Sequence, residues 1–469
     1  MKRISRRGFL RSSAFGSAGL VALPEFIPSR VFAAPSPNQR IQVAQIGCGR
    51  MGREDMVGVM SHPLARTVAV CDLDSHRADA GKTRVVDFYL RQGETEVSVS
   101  AYHDFHEVLA RSDIDAVVVS VPDHWHALVA IQAAQAGKHL YVQKPLAYSI
   151  AEAIALRTVV RKKRVILQTG SQQRSEQPFP AFRPASEAVR NGRIGKLRSI
   201  HIGVGLDAPK GQPPAPMPVP QNLDYERWLG AAPEQPYMEA RVHPQKDFNR
   251  PGWITTEDFG LGMITNWGAH HMDIAQWAMG MELSGPRHVN AHAEFMQGDV
   301  WTVHSTYHVE LNYASGVEVI LDDKFENGLR FDGSEGWIFC SRGSGSVTSS
   351  DPRSAVSTDP SKGPLRASDA KILSPLGPDS IRWARSPNHY LNWLQAIVAR
   401  RDPIAPVDEA ARSMTACAVS WIGMKLNRPL TWDPSKEVFV NDDAANEMRT
   451  RKTRKPEYDF GSLMQAAHS

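Results

Sequence analysis

Gly47, Gly49 and Gly52 fit the pattern G-x-G-x-x-G, and Asp72 stands 25 positions beyond the first of them. Together these residues can hold a dinucleotide. Gly47 lets the chain turn sharply off a strand, Gly49 lets backbone approach a pyrophosphate, and Gly52 lets a helix pack close to the strand. Cys48, Arg50 and Met51 fill the loop between them, where the N–H groups of a helix start favour phosphate. Asp72 is spaced to accept from ribose hydroxyls and to repel a 2′-phosphate, so it favours NAD over NADP. His76 and Arg77, just beyond, leave NADP open. A second group is Asn266, His270, Asp273 and Trp277, at i, i+4, i+7 and i+11 on one helical face. The ordinary pKa of histidine suits general acid–base work, so His270 is the leading candidate. His271 points about 100° away and either lines the same site or packs. Two further groups are Pro122-Asp123-His124-Trp125-His126 and Gln143-Lys144-Pro145. The histidines and Asp273 are metal-ligand types, but zinc-binding helices space their ligands at i, i+4, which adjacent His270-His271 does not. No metal is expected.

The elements around these groups alternate. Apolar runs at Ile41–Ile46 and Val68–Cys71 flank the glycine turn. Helical segments through Arg91, over Ala127–Ala136 and over Ile150–Arg161 alternate with strands near Val97–Ala101, Asp115–Val121, His139–Val142 and Val165–Thr169. Continuous apolar strands separated by helices indicate a doubly wound parallel sheet. Ligands sit at the carboxyl ends of such strands, where Pro122–His126 and Gln143–Pro145 fall. From about residue 170 the pattern changes. One helix is expected over Met263–Met279, then sequential strand-like runs from His288 to Cys340, suiting a large, mostly antiparallel sheet. The fold class is α/β, a Rossmann domain plus an α+β domain. The expected divisions are residues 40–168 for the first, 169–440 for the second and 441–469 for a tail. The Pro-rich stretch 207–221 reads as a loop, the polar stretch 342–385 as a surface excursion, and the basic run Arg449–Lys455 as a solvated segment.

With these motifs in order, the chain after residue 40 resembles the Gfo/Idh/MocA oxidoreductases, the glucose–fructose oxidoreductase and inositol dehydrogenase family. The glycine turn, Asp123-His124-Trp125-His126, His139–Pro145, Gln168–Arg174 and Asp258–Gly280 carry the resemblance. It implies nicotinamide chemistry on a sugar or polyol, with Lys144 beside the nicotinamide and the substrate hydroxyl. It further implies cofactor contacts from Pro122, His124, Trp125, His126, Gln143 and Lys144. Substrate contacts would come from Lys144, Arg174, Asn266, His270 and His271. The peptide before Pro145 can be cis, which only X–Pro bonds do cheaply. The chain departs from the family twice. Gln143 stands where the family has glutamate, removing a charge partner that would tune Lys144. Asn266 stands where many members have aspartate.

Hydrophobic residues make up 42% and charged residues 22% of the 469, a globular balance. The net charge of +4 arises in the first 34 residues, which hold six Lys/Arg and one acid. The remainder is near neutral, which argues against nucleic acid as a partner. The four cysteines lack C-x-x-C spacing, so neither a disulfide framework nor structural zinc is expected. Ser5–Arg11 (SRRGFLR), then a weakly apolar stretch and Val31-Phe32-Ala33-Ala34, resemble a twin-arginine export signal with no lipid anchor. Export would place a folded protein, already loaded with nucleotide, in the periplasm, where a tightly held cofactor is required. A net oxidoreductase, a glycoside-cleaving or epimerising enzyme that oxidises its sugar transiently, and a non-catalytic sugar-binding protein remain open. A homo-oligomer built on the large sheet is the family expectation.

Overall fold

A computed structural model describes residues 40–207, 211–343, 363–459 and 461. The expected signal, residues 1–34, and much of the polar excursion lie outside the described residues. The first sheet is built from β1 (Ile41–Ile46), β2 (Ala65–Cys71), β3 (Ser100–Tyr102), β4 (Ala116–Val119), β5 (His139–Val142) and β6 (Leu167–Thr169). All pair in parallel, in the order β3-β2-β1-β4-β5-β6. This is the dinucleotide-binding strand order, and its direction reverses between β1 and β4. Between the strands run α1 (Arg50–Met60), α2 (Ser75–Arg91), α3 (Phe105–Ala110), α4 (Asp123–Gln135) and α5 (Ile150–Lys163). Every residue of β4 is buried, as a strand covered on both faces requires.

α4 begins at Asp123, four residues before the expected start. Pro122 ends β4's loop with its fixed φ, and Asp123 in the first turn suits the positive end of the helix dipole. A polar first turn hides the start from an apolar-periodicity reading. Thus Asp123, His124, Trp125 and His126 point outward from a helix, each on a different side.

The second part contains α6 (Phe182–Arg190), β7 (Leu197–Gly203), α7 (Tyr225–Leu229), α8 (Met263–Asn266) and α9 (Gly268–Met279). Then come β8 (His288–Phe295), β9 (His304–Asn312), β10 (Glu318–Asp322), β11 (Gly328–Gly333), β12 (Trp337–Cys340) and β13 (Leu365–Ala367). The chain continues with α10 (His389–Ala399), α11 (Val407–Leu426), β14 (Leu430–Asp433), β15 (Val438–Phe439) and α12 (Asp443–Glu447). The nine strands lie in the order β13-β12-β11-β7-β10-β9-β8-β14-β15, and only β7–β10 is parallel. The single helix expected over 263–279 is two, broken at Trp267. α10 returns to the first sheet, where Trp393, Leu394 and Ile397 pack on Ile41, Val43, Val118 and Tyr141.

Two segments cross the carboxyl ends of the parallel strands. Residues 222–260 form a strap with its own apolar core of Leu223, Tyr225, Trp228, Tyr237, Val242 and Phe259, set against Leu73. It is fastened to β2's end by Ser75 N donating to Asn222 O (2.8 Å) and by His243 on Asp74 (2.9 Å). The second is the C-terminal segment. Arg451 pairs with buried Glu152 at 2.7 Å and donates to His124 O, and Arg454 donates to Gly230 O. The basic run is therefore docked rather than solvated. A buried glutamate and the backbone carbonyls of His124 and Gly230 supply partners that the run's composition alone does not reveal.

Candidate functional site

One cavity of about 750 Å³ runs from the glycine loop to α8 and α9. At one end Gly47 turns at φ +88°, where an added Cβ would lie 2.4 Å from Ser120 O. At Gly52 an added Cβ would lie 1.9 Å from Gly47 O, so the first turn of α1 sits against the loop. Gly49 caps α1 without a side-chain partner, leaving the first-turn N–H groups for a ligand. Asp72 binds the loop from below: Cys48 N donates to its Oδ2 at 2.7 Å and Asp74 N to its Oδ1 at 2.9 Å. Burial raises its carboxyl, and these two N–H groups oppose the rise. Backbone donors at a helix start, with a carboxylate at the next strand's end, fit a dinucleotide's pyrophosphate and ribose. Gly47, Gly49, Arg50, Met51 and Asp72 line the cavity. Gly52 and Cys48 do not; the Cys48 side chain is buried against Gly81, so its contribution is its N–H.

At the other end Lys144 Nζ donates to Asn266 O at 2.7 Å, bridging the two halves of the molecule. The Lys144–Pro145 peptide is cis. His270 lines the cavity beside them and its Nδ1 has no hydrogen-bond partner. Burial, then the charges of Arg342 and Lys144, hold His270 well below the ordinary histidine range, so the ring is a neutral base. Pro122, Trp125, His126, Gln143 and Asn266 also line this space. His126 ties two strand-end loops together, with Nδ1 at 2.6 Å from Pro145 O and Nε2 at 2.9 Å from Val121 O. A neutral ring donates through only one of them.

Gln143 has a physical reason to be neutral. Its Nε2 lies 2.9 Å and 3.0 Å from the two oxygens of Asp55, on α1. Ser120 and Tyr390 donate to the same carboxylate. Asp55 is fully buried, and burial pushes it up to about 6 against these three donors. A glutamate at 143 would bring a second carboxylate within about 3 Å of the first, which like charges in a buried site resist.

Three expected site residues lie elsewhere. Arg174 is 1% exposed and grips Asp273 with Nε and Nη2 at 2.6 and 2.8 Å, Glu409 completing the set. It joins the short turn Gln172–Arg174 to α9 and α11 in the interior, because a buried guanidinium needs its acids and Asp273 and Glu409 are both there. His271 is buried between Gln173 (3.2 Å) and Asn327 (3.2 Å), off the cavity. The 100° between it and His270 decides this: α9 has one face to the cavity. His124 is buried with its Nε2 on Trp228 O at 3.0 Å, receiving the strap rather than lining the cavity.

Other residues line the cavity as well, some of them within or beside the sequence motifs and some not. Asp123, 4% exposed, lines the cavity near Lys144. Burial pushes it up to about 7, and the Lys144 charge opposes this. Its place in the strand-end motif was the available signal. Arg77 lines the nucleotide end, donates to Pro244 O at 2.8 Å and lies over Phe248. Arg342, Phe179 and Tyr458 come from distant segments, and no local pattern marks them. Trp253, on the strap, also lines it. Among the described residues no three His, Cys, Asp or Glu side chains converge to hold a metal, and no helix is long and apolar enough to cross a membrane.

Comparison with known proteins matches residues 41–171 to the Gfo/Idh/MocA model described as an oxidoreductase family NAD-binding Rossmann fold. Residues 210–358 match that family's C-terminal alpha/beta domain. Myo-inositol 2-dehydrogenase of Thermotoga maritima is 28% identical over 219 residues, 46% of this chain and 56% of that protein. An alpha-N-acetylgalactosaminidase of Shewanella oneidensis is 30% identical over 166 residues, 32% of this chain and 36% of that one. The chain thus spans about half or less of the length of the curated relatives it matches. The WlbA dehydrogenase of Bordetella pertussis, solved with NADH and UDP-GlcNAcA, aligns with TM-score 0.58 at 15% identity over 84% of this chain and 99% of that one.

Proposed function

Because the chain belongs to the Gfo/Idh/MocA oxidoreductase family, we propose that it is an NAD-dependent oxidoreductase of a sugar or polyol hydroxyl. The observation that carries this is one cavity lined at one end by the glycine loop and Asp72 and at the other by Lys144 and His270. NAD, when bound, supplies the hydride acceptor. The chain supplies position and proton transfer. α1 and Asp72 hold the nucleotide. Lys144, fixed on Asn266 O, orients the substrate hydroxyl, and the neutral His270 takes its proton. Trp125, Trp253 and Ile254 keep water from the reacting carbon.

The protein is exported folded with its cofactor already bound, and it assembles as a homo-oligomer through the open face of the nine-stranded sheet. Two observations support tight cofactor holding. The strap and the C-terminal segment both cross the nucleotide crevice, and their Trp228, His243 and Tyr458 line it. The likeness to a Shewanella glycosidase favours a second reading, in which the sugar is oxidised transiently and a glycosidic bond is cleaved before the cofactor is reset.

Protein purified without added nucleotide and then denatured is expected to release NAD. A sugar panel added to native protein is expected to change nicotinamide absorbance. Release without net absorbance change, but with hydrolysis of a glycoside, selects the second reading. No nucleotide released, and none bound on titration, rejects both.

A further inference from the structure

Arg77 stands in the first turn of α2, just past the end of β2, and is 8% exposed. A guanidinium buried that far needs partners, and most of this one has them. Its Nη2 donates to Pro244 O at 2.8 Å and to Asp247 O at 3.3 Å, both on the strap. Strap residue Phe248 lies between two arginines. The guanidinium carbon of Arg77 is 4.9 Å from its ring centre, and that of Arg53, on α1, is 3.9 Å from it. The ring and the two carbonyls set the plane of the Arg77 fork. Asp74 does not claim it: Nε stands 3.8 Å away, and the Asp74 oxygens already accept from Asn222, His243 and Gln245.

The other arm of the fork reaches the glycine loop. Arg77 Nη1 is the atom that a Cβ on Gly49 would meet, at 3.2 Å. Gly49 opens α1, whose first-turn N–H groups suit a pyrophosphate. Arg77 lines the cavity there together with Gly47, Gly49 and Asp72. Among the described residues its Nη1 makes no hydrogen bond. A pyrophosphate brings two negative charges, and one helix start offers only about half a positive charge. A full cation beside Gly49 supplies more. A 2′-phosphate would instead have to sit beside Asp72, whose carboxylate repels it.

We propose that Arg77 binds the pyrophosphate of the cofactor through Nη1 and fastens the strap through Nη2, so that nucleotide occupancy and strap docking are coupled. The inference rests on the dinucleotide reading of the cavity and adds the residue that links cofactor to strap. One rigid fork makes both sets of contacts. A phosphate seated on Nη1 fixes the plane that the strap carbonyls need, and a docked strap holds that plane for the phosphate. The gain is reciprocal: whatever occupancy adds to strap docking, docking adds to occupancy.

The test titrates nucleotide-stripped protein with NAD and NADP, followed by tryptophan fluorescence, and probes the strap with trypsin. Exposed Lys246 lies between Pro244 and Asp247, so cleavage after it reports release of the strap from Arg77. NAD is expected to slow that cleavage in the wild type on the order of 10-fold. Arg77→Gln is expected to lower affinity for both nucleotides on the order of 30-fold, the worth of a charge-assisted bond, and to abolish the protection at saturating NAD. Arg77→Lys keeps a charge but not the fork, so affinity is expected to fall about 5-fold with the protection again lost; it carries the test if the glutamine variant does not fold. Arg84→Gln removes a neighbouring charge on α2 that acts on Arg53 from outside the cavity, and is expected to move neither readout. A fall confined to NADP overturns the inference and makes Arg77 a reader of the 2′-phosphate. Unchanged NAD affinity in Arg77→Gln, or a strap that NAD still protects in that variant, also overturns it. Wild-type protein that binds neither nucleotide rejects the dinucleotide reading itself.

Discussion

The two ends of the cavity recognise in different ways. The nucleotide end works through backbone: a turn at positive φ, N–H groups at the start of α1, and a carboxylate that itself holds the loop through Cys48 N. The reactive end works through side chains gathered from far apart, Lys144 after β5, Asn266 and His270 from α8 and α9, and Arg342 after β12. Backbone recognition needs small residues at fixed short spacing. Side-chain recognition needs only that distant segments meet. The first end should therefore fail in binding when changed, and the second in chemistry.

The largest expected effect breaks the first end. Gly52→Ala places a Cβ 1.9 Å from Gly47 O, too close for any relaxation that leaves the loop in place. The helix must move off the strand, at a cost of about 3 kcal/mol, and the N–H groups move with it. Dinucleotide affinity is expected to fall on the order of 1,000-fold, about 4 kcal/mol, measured by titrating nucleotide-stripped protein. Retained affinity would mean that the loop does not hold the pyrophosphate.

The next effect is confined to the second end. Lys144→Met removes the amine that sits on Asn266 O and keeps most of its apolar length. Turnover is expected to fall on the order of 1,000-fold, within the range for a positioned proton-transfer group, while released nucleotide per protein stays the same. Loss of both would erase the distinction between the ends. Unchanged turnover would assign the proton chemistry elsewhere, with His270 the first alternative.

The same difference explains what could be read from sequence. The doubly wound parallel sheet, the glycine turn and Asp72 follow from periodicity and short spacing, because the ligand there is met by consecutive residues. Strands such as Ile41–Ile46 and His139–Val142 were legible to the residue from their apolar runs. His270 was legible as a helix face, but its neighbour His271 was not separable from it until α9's one cavity-facing side was known. Arg174 was misplaced since nothing in its surroundings in sequence announces Asp273 or Glu409, 99 and 235 residues away. The strap and the docked C-terminal segment were unreadable for the same reason. Their partners, Asp74 and Glu152, lie 169 and 299 residues from His243 and Arg451. Arg342 reaches Trp267 across the cavity, and no pattern within its own strand points there.

Gln143 is the seam between the ends, and the smallest expected effect tests it. The residue precedes Lys144 and is held by Asp55 on α1, so the glycine helix braces the lysine loop. Asp55 has a folded-state pKa of about 6, above its ordinary 3.8. A carboxyl raised on folding favours the native state while protonated, so its contribution is fully present below about pH 4 and is lost as pH rises through 6. In the wild type this loss, about 3 kcal/mol from the size of the shift, is complete by neutral pH, and stability due to Asp55 is flat above it. Gln143→Glu replaces the donor that opposes the shift with a second carboxyl. The pair then shares a proton, and releasing it costs more than releasing the proton of Asp55 alone. Stability of the variant is expected to keep falling between pH 6 and 8, by an additional amount on the order of 2 kcal/mol, while matching the wild type near pH 5. Denaturant midpoints at pH 5 and pH 8 measure both. The pH-dependent loss would show that the glutamine is there because α1 carries Asp55, and that the brace under Lys144 requires one neutral partner. Parallel pH profiles for variant and wild type would mean that residue 143 and Asp55 do not share a proton, and that the two ends of the cavity are held independently.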